Sequence, residues 1–139
     1  MNKNFMKTLA RKHALQVLYA LDINPEADAE LNDTVTMRVD GDNLAFSESL
    51  VNTVQEHLSE IDRIISAHLR RWSIDQLNVV DKCILRIGIA ELLFAEKQHV
   101  DKGIIINDAV AMAKEFGGES SYRFINGVLN AVSDEYHKS

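Results

Sequence analysis

Residues 77–93 read Leu77-Asn78-Val79-Val80-Asp81-Lys82-Cys83-Ile84-Leu85-Arg86-Ile87-Gly88-Ile89-Ala90-Glu91-Leu92-Leu93. Val80, Ile84, Leu85, Ile87, Gly88, Leu92 and Leu93 recur at helical spacing but fall on more than one side. A helix that is apolar on several sides belongs in an interior. The spacing predicts a helix over 79–95 that is the central and most buried element of the chain.

Working outward, Ser73-Ile74-Asp75-Gln76 has the form of a capping box and predicts a short helical turn just before it. Leu50, Val51, Val54, Leu58, Ile61, Ile64, Ile65 and Leu69 predict one helix of some six turns over 47–69, ending at Arg70-Arg71 where cations suit the terminal carbonyls. Ala10, Ala14, Val17, Leu18 and Leu21 make an amphipathic helix of 8–22, which Asn24-Pro25 stops. Between them, 23–46 lacks a clean period, with a short helix expected around 28–34. Downstream, 104–116 and 121–135 are helical and are separated by Gly117-Gly118. The expectation is an all-α domain of six to seven helices spanning 1–139.

Composition agrees. One Pro and six Gly are too few for a turn-rich sandwich, and a single cysteine, Cys83, excludes a disulfide scaffold. No apolar run approaches the ~18 residues of a membrane span, and the start lacks the apolar stretch of a secretory signal. A soluble cytoplasmic chain is expected. Its net charge of −6 is unevenly spread. Lys3, Lys7, Arg11 and Lys12 face only Asp22 in the first 22 residues, whereas 23–46 sets six carboxylates against Arg38. The N-terminus is therefore a modest basic patch, either a solvated helix face or a surface able to neutralise a few phosphates.

Catalytic constellations are missing. The sequence has no Cys pair, no His-x-x-x-His, no phosphate-binding glycine loop and no Gly-x-Ser-x-Gly. His57 and His68 stand about 16 Å apart along the expected helix, too far to share a metal. Cys83 has core spacing and reads as a buried, inert thiol. The pattern leans towards binding rather than catalysis, with no cofactor and no metal.

Three blocks carry a family likeness. Arg11-Lys12-His13-Ala14-Leu15-Gln16-Val17-Leu18-Tyr19 is the first. Trp72-Ser73 with Leu77 to Ile87 and Glu91-Leu92-Leu93 is the second. Ile106-Asn107-Asp108-Ala109-Val110 through Gly117, then Phe124-Ile125-Asn126-Gly127-Val128-Leu129, is the third. In this order and spacing they resemble the NusB family of bacterial transcription antitermination factors over nearly the whole chain.

The resemblance implies two packed helical subdomains and no catalytic activity. It implies binding of boxA RNA of ribosomal RNA operons together with NusE, a small-subunit ribosomal protein, and entry into the RNA polymerase elongation complex with other Nus factors. It places RNA contacts at Lys3, Lys7, Arg11, Gln16, Arg123 and Phe124, and partner contacts at Tyr19, Asp75 and Asp81. Many members open with several arginines; here only Lys3 and Lys7 precede Arg11, which implies greater dependence on the partner. A NusB-like domain also begins certain ribosomal RNA methyltransferases, whose cofactor domain is expected to be lacking in a chain ending at Ser139. Some members are homodimers with an occluded RNA surface, and the sequence does not choose.

The residues themselves allow these roles beside plainer ones. Arg11 and Arg123 can bridge phosphates or stack on a base. Gln16 lies off the core stripe, where its amide can read a base edge. Phe124 is either a stacking face for single-stranded RNA or a core residue four before Val128. Tyr19 is either a contact or half-buried beside the first stripe. Arg86, inside the central helix, calls for an internal carboxylate partner, with Glu91 a candidate. Asn126-Gly127 is expected to shape close helix packing, and Asp75 and Asp81 to be surface carboxylates tolerant of substitution.

Overall fold

The computed structural model describes residues 3–26, 38–95 and 101–136, with side chains from residue 7 onward. Helix α1 runs Lys3–Ile23 and ends at Asn24-Pro25, as the proline requires. Helix α2 (Gly41–Glu56) begins at Gly41, whose φ of 54° is the left-handed value that favours glycine. Helix α3 (Leu58–Ala67) is followed by a 3-10 turn, Ile74–Gln76, in which the Gln76 side chain accepts from the Ser73 N–H at 2.8 Å. Helix α4 (Val79–Ile89) starts on Asn78, whose side chain caps the Val80 N–H, and passes into a π-helical turn, Ala90–Phe94. Helix α5 (Lys102–Phe116) is capped by Asp101, and α6 spans Ser121–Tyr136. The described residues thus hold six α-helices and no strand. The short helix expected around 28–34 lies outside them.

α4 is the hub. Cys83, Ile84, Leu85, Ile87, Gly88 and Ile89 are all buried, and α1, α2 and α3 pack on it from one side while α5 and α6 pack from the other. This is the two-subdomain arrangement. The buried stripes of α1 (Ala10, Ala14, Val17, Leu18), α5 (Ile105, Ala109, Met112) and α6 (Ile125, Val128, Leu129, Val132) all join one apolar cluster with it, apart from Ala10 at its edge. His13 adds a polar pin, its Nδ1 lying 2.7 Å from Ser47 Oγ of α2 in the interior. Burial pushes the Cys83 thiol up to about 11, so it is un-ionised at neutral pH, as its spacing indicates. No helix among the described residues is long and apolar enough to cross a membrane.

Three expectations are corrected. The single helix of 47–69 is broken at His57, which leaves helical dihedrals (φ −113°, ψ 20°) while its ring stacks on Phe94 of the π turn, 4.3 Å away and 13° from parallel. The backbone ladder continues through the break, since His57 N–H donates to Thr53 and its carbonyl accepts from Ile61. His57 and His68 therefore flank α3 rather than share one long helix. Arg86 does pair internally, but with Asp62 (2.9 Å, two-pronged) and Asp22 (3.1 Å) rather than with Glu91. Five residues along a helix turn the side chain about 140° away, so Arg86 and Glu91 face different neighbours.

The third correction concerns glycine. Gly127 is exposed, and a methyl group there would meet nothing within 4 Å, while Asn126 bonds to Asn130. The close helix approach lies instead at Gly88 of α4, where a Cβ would fall 2.8 Å from Leu129 Cδ1 of α6. Leu129 is itself fully buried and has little room to give. Ala in place of either glycine gains about 1 kcal/mol of helix propensity, but at Gly88 overpacking costs about 1–3 kcal/mol. Denaturant titration is expected to find Gly127→Ala more stable than the native chain and Gly88→Ala less stable than Gly127→Ala by that overpacking cost.

Candidate nucleic-acid interface

One cation of the basic face of α1 is spent inside the molecule. Arg11 is 1% exposed. Its Nε and Nη2 grip both oxygens of Glu91 in the π turn, the second at 2.7 Å, and its Nη1 donates to Asp108 of α5 at 2.6 Å. Thr8 adds a bond to the same Asp108 oxygen at 2.9 Å. Burial alone would lower the Arg11 pKa, but the hydrogen bonds and charges of Glu91 and Asp108 outweigh it and raise it. Arg11 is therefore no surface phosphate ligand, which corrects the expected role. With each of its three nitrogens on a carboxylate oxygen and the side chain buried, the guanidinium presents nothing to solvent.

What remains at the surface is a band of cations on aromatic rings. Lys7 Nζ stands 5.6 Å from the Phe46 ring of α2. Lys12 reaches Glu115 of α5 at 3.0 Å. The neighbouring Lys114 lies 5.0 Å over the Tyr122 ring, and Arg123 lies 5.5 Å from the same ring while donating from Nε to the Tyr122 hydroxyl at 3.0 Å. The last turn of α5 thus touches α1 on one side and the start of α6 on the other. Lys12, Lys114, Tyr122 and Arg123 follow one another from α1 across the end of α5 to the start of α6, while Lys7, five residues before Lys12, is turned onto α2.

Phe124 is half-buried and packed against the core, so the structure gives it the core position with only part of its ring outward. Gln16 is half-buried, and the Lys3 side chain lies outside the described residues. Lys114 and Tyr122 were missed by the sequence reading, although each stands within a few residues of the Gly117-Gly118 stop that brings them together.

The acidic residues divide. Tyr19 is 40% exposed and Asp75 is exposed on the 3-10 turn. Asp81 is half-buried: one oxygen accepts from Ser121 Oγ at 3.1 Å, and the other is enclosed without a partner. Burial raises its pKa, with the Ser121 bond acting in the opposite sense. Ser121 also accepts the Gly118 N–H at 2.9 Å, so Asp81 ties the start of α4 to the turn before α6. A charge swap there is not the harmless surface change expected from the sequence.

Among the described residues no group of three His, Cys, Asp or Glu side chains is placed to hold a metal. These features define a small all-helical protein with cations set on aromatic rings around the ends of α5 and α6. The chain belongs to the NusB family, whose profile matches residues 8–134. It is 35% identical over 132 residues to the transcription antitermination protein NusB of Elusimicrobium minutum, covering 93% of this chain and 94% of that protein. The solution structure of NusB from Aquifex aeolicus superposes with a TM-score of 0.77 at 36% identity, covering 95% of this chain and 90% of that one. A crystal structure of antitermination factors NusB and NusE in complex with double-stranded RNA gives 0.83 at 35% identity, covering 95% and 98%.

Two outcomes follow for the charged groups. Arg11→Ala leaves Glu91 buried and unpaired, and is expected to cost about 3–5 kcal/mol in denaturant unfolding, with Arg11→Lys restoring only part because an ammonium lacks the planar fork. For Asp81 the sign is opposite to that of a salt-bridged carboxylate. Its folded pKa lies above the ordinary 3.8, so its contribution is fully present below that value and is lost as pH rises through the folded pKa. Asp81→Asn is therefore expected to gain stability relative to the native chain on going from acid to neutral pH, in melts run across that range.

Proposed function

We propose that this chain is a transcription antitermination factor that binds boxA RNA of ribosomal RNA operons together with NusE, and that this pair joins the elongating RNA polymerase with other Nus factors in the cytoplasm. The observation that carries the reading is family membership over 8–134, alongside a solved NusB–NusE complex with RNA whose NusB fold this chain matches over 95% of its length. In this reading the chain is a single binding domain without catalytic activity. Its relatives carry the antitermination name, which favours this over the methyltransferase-domain alternative.

The RNA contacts in this reading are Lys7, Gln16, Tyr122, Arg123 and the outward part of Phe124, with Lys3 added from the family resemblance alone. Arg11 acts behind them as a positioning residue that fixes α1 against α5. NusE lies on the flank of Tyr19 and Asp75, with Asp81 holding the turn beneath. A basic partner suits exposed carboxylates, which act mainly on association rate and its salt dependence.

The test is binding of fluorescent single-stranded boxA-type RNA by the chain alone, by NusE alone and by both, over a series of salt concentrations. The expected result is tight binding only by the pair. Arg123→Ala is expected to weaken it and to flatten the log–log salt slope by about 0.7, the value for one lost contact to a single strand. Phe124→Ala is expected to lower thermal stability first, by up to about 3 kcal/mol, in keeping with its packing. Methyl transfer to ribosomal RNA by the pure chain, or RNA binding indifferent to NusE, would overturn the proposal.

A further inference from the structure

The connection from α3 to the 3-10 turn carries Arg70-Arg71-Trp72, three consecutive exposed residues that the RNA edge does not include. Trp72 is 62% exposed, more than any other large apolar side chain among the described residues. Neither arginine meets a carboxylate among the described residues. Four of the other described cations do meet one. Arg11 is held by Glu91 and Asp108, Lys12 by Glu115, Lys82 by Asp22, and Arg86 by Asp62 and Asp22. In a chain of net charge −6, Arg70-Arg71 is a place where adjacent positive charge meets no carboxylate among the described residues, beside an open indole face.

We propose that Arg70-Arg71-Trp72 is a second RNA contact, in which the two guanidiniums meet phosphates and Trp72 stacks on an unpaired base. The inference rests on the RNA-binding reading above and extends it to a segment outside the edge of α1, α5 and α6. Two guanidiniums flanking a tryptophan match the chemistry of single-stranded nucleic acid, which offers phosphates and π faces in alternation. A basic protein partner is disfavoured by charge.

Trp72 is the only tryptophan in the sequence, so its emission reports this place alone. The chain is mixed with NusE, Trp72→Phe serves as the blank for any emission from NusE, and single-stranded boxA-type RNA is titrated in while a labelled copy reports binding independently. The expected result is quenching of Trp72 and its protection from iodide, in step with RNA binding. Arg70→Ala/Arg71→Ala is expected to flatten the salt slope by about 1.4, and Trp72→Ala to weaken binding about tenfold with the slope unchanged. All three positions are exposed, so the variants should melt with the native chain, and the melt is run beside the titration. The inference is overturned if labelled RNA binds in an Arg123-dependent way while Trp72 stays accessible and these variants bind at native strength. It is equally overturned if NusE alone protects Trp72, which would make the patch a protein contact. If labelled RNA fails to bind the native pair at all, the functional reading itself falls and this contact with it.

Discussion

A guanidinium taken out of water costs several kcal/mol unless its donors find acceptors, and in this fold Arg11 is taken out almost completely. The cost is met by a fork onto Glu91 and a third bond to Asp108, so three elements, α1, the π turn and α5, are held at one point. Nothing apolar specifies a register as sharply, since ridges slide past one another by a residue at modest cost whereas a bidentate pair does not. The opposite end of α1 repeats the device with reversed sign. Asp22 is held by Lys82 and Arg86, which lower its pKa against the opposing effect of burial. With Arg11 facing position 91 and Asp22 facing 82 and 86, α1 is set antiparallel to α4.

Internal pairing also explains how the charge is used. Of the basic N-terminus seen in the sequence, Arg11 is spent on the π turn and α5, leaving the exposed edge with few cations, each resting on an aromatic ring or a carboxylate. A ring beneath a lysine or arginine restricts its rotamers before any phosphate arrives, so less freedom remains to be lost on binding. Asp75 and Asp81 differ in kind. Asp75 stands in solvent, while Asp81 is an inward-facing strut whose burdened charge is tolerated for the turn it holds.

Most of the fold was legible because core spacing is a local property. The stripes of α1, α4, α5 and α6 are buried as their periods indicate, and Gly117 stops α5 where a Cβ would meet the Ala113 carbonyl at 2.7 Å. The break at His57 was not legible, because the ring that His57 stacks on there, Phe94, stands thirty-seven positions away. Arg11 was misread for a different reason. It stands four before Leu15 and seven before Leu18, on the buried face, and Glu91 stands four after Ile87 and seven after Ile84 in the same way. Two opposite charges at core positions of two helices are the signature of a buried pair, whereas the family resemblance had placed Arg11 on RNA. Tyr122 escaped because its cations come from two different helices.

The span of the Arg11 network along the chain bears on synthesis. Its partners lie 80 and 97 positions downstream, so when α1 leaves the ribosome its guanidinium has nothing to meet. α1 and α2 can associate early through their apolar faces, but the N-terminal helix gains its final register only after α5 has emerged, with four-fifths of the chain already made. Until then the same α1 that anchors the finished molecule is a charged, half-docked helix in solvent. Closure of the fold is thus a late, long-range event, delayed by chain connectivity in an otherwise locally wired helical protein.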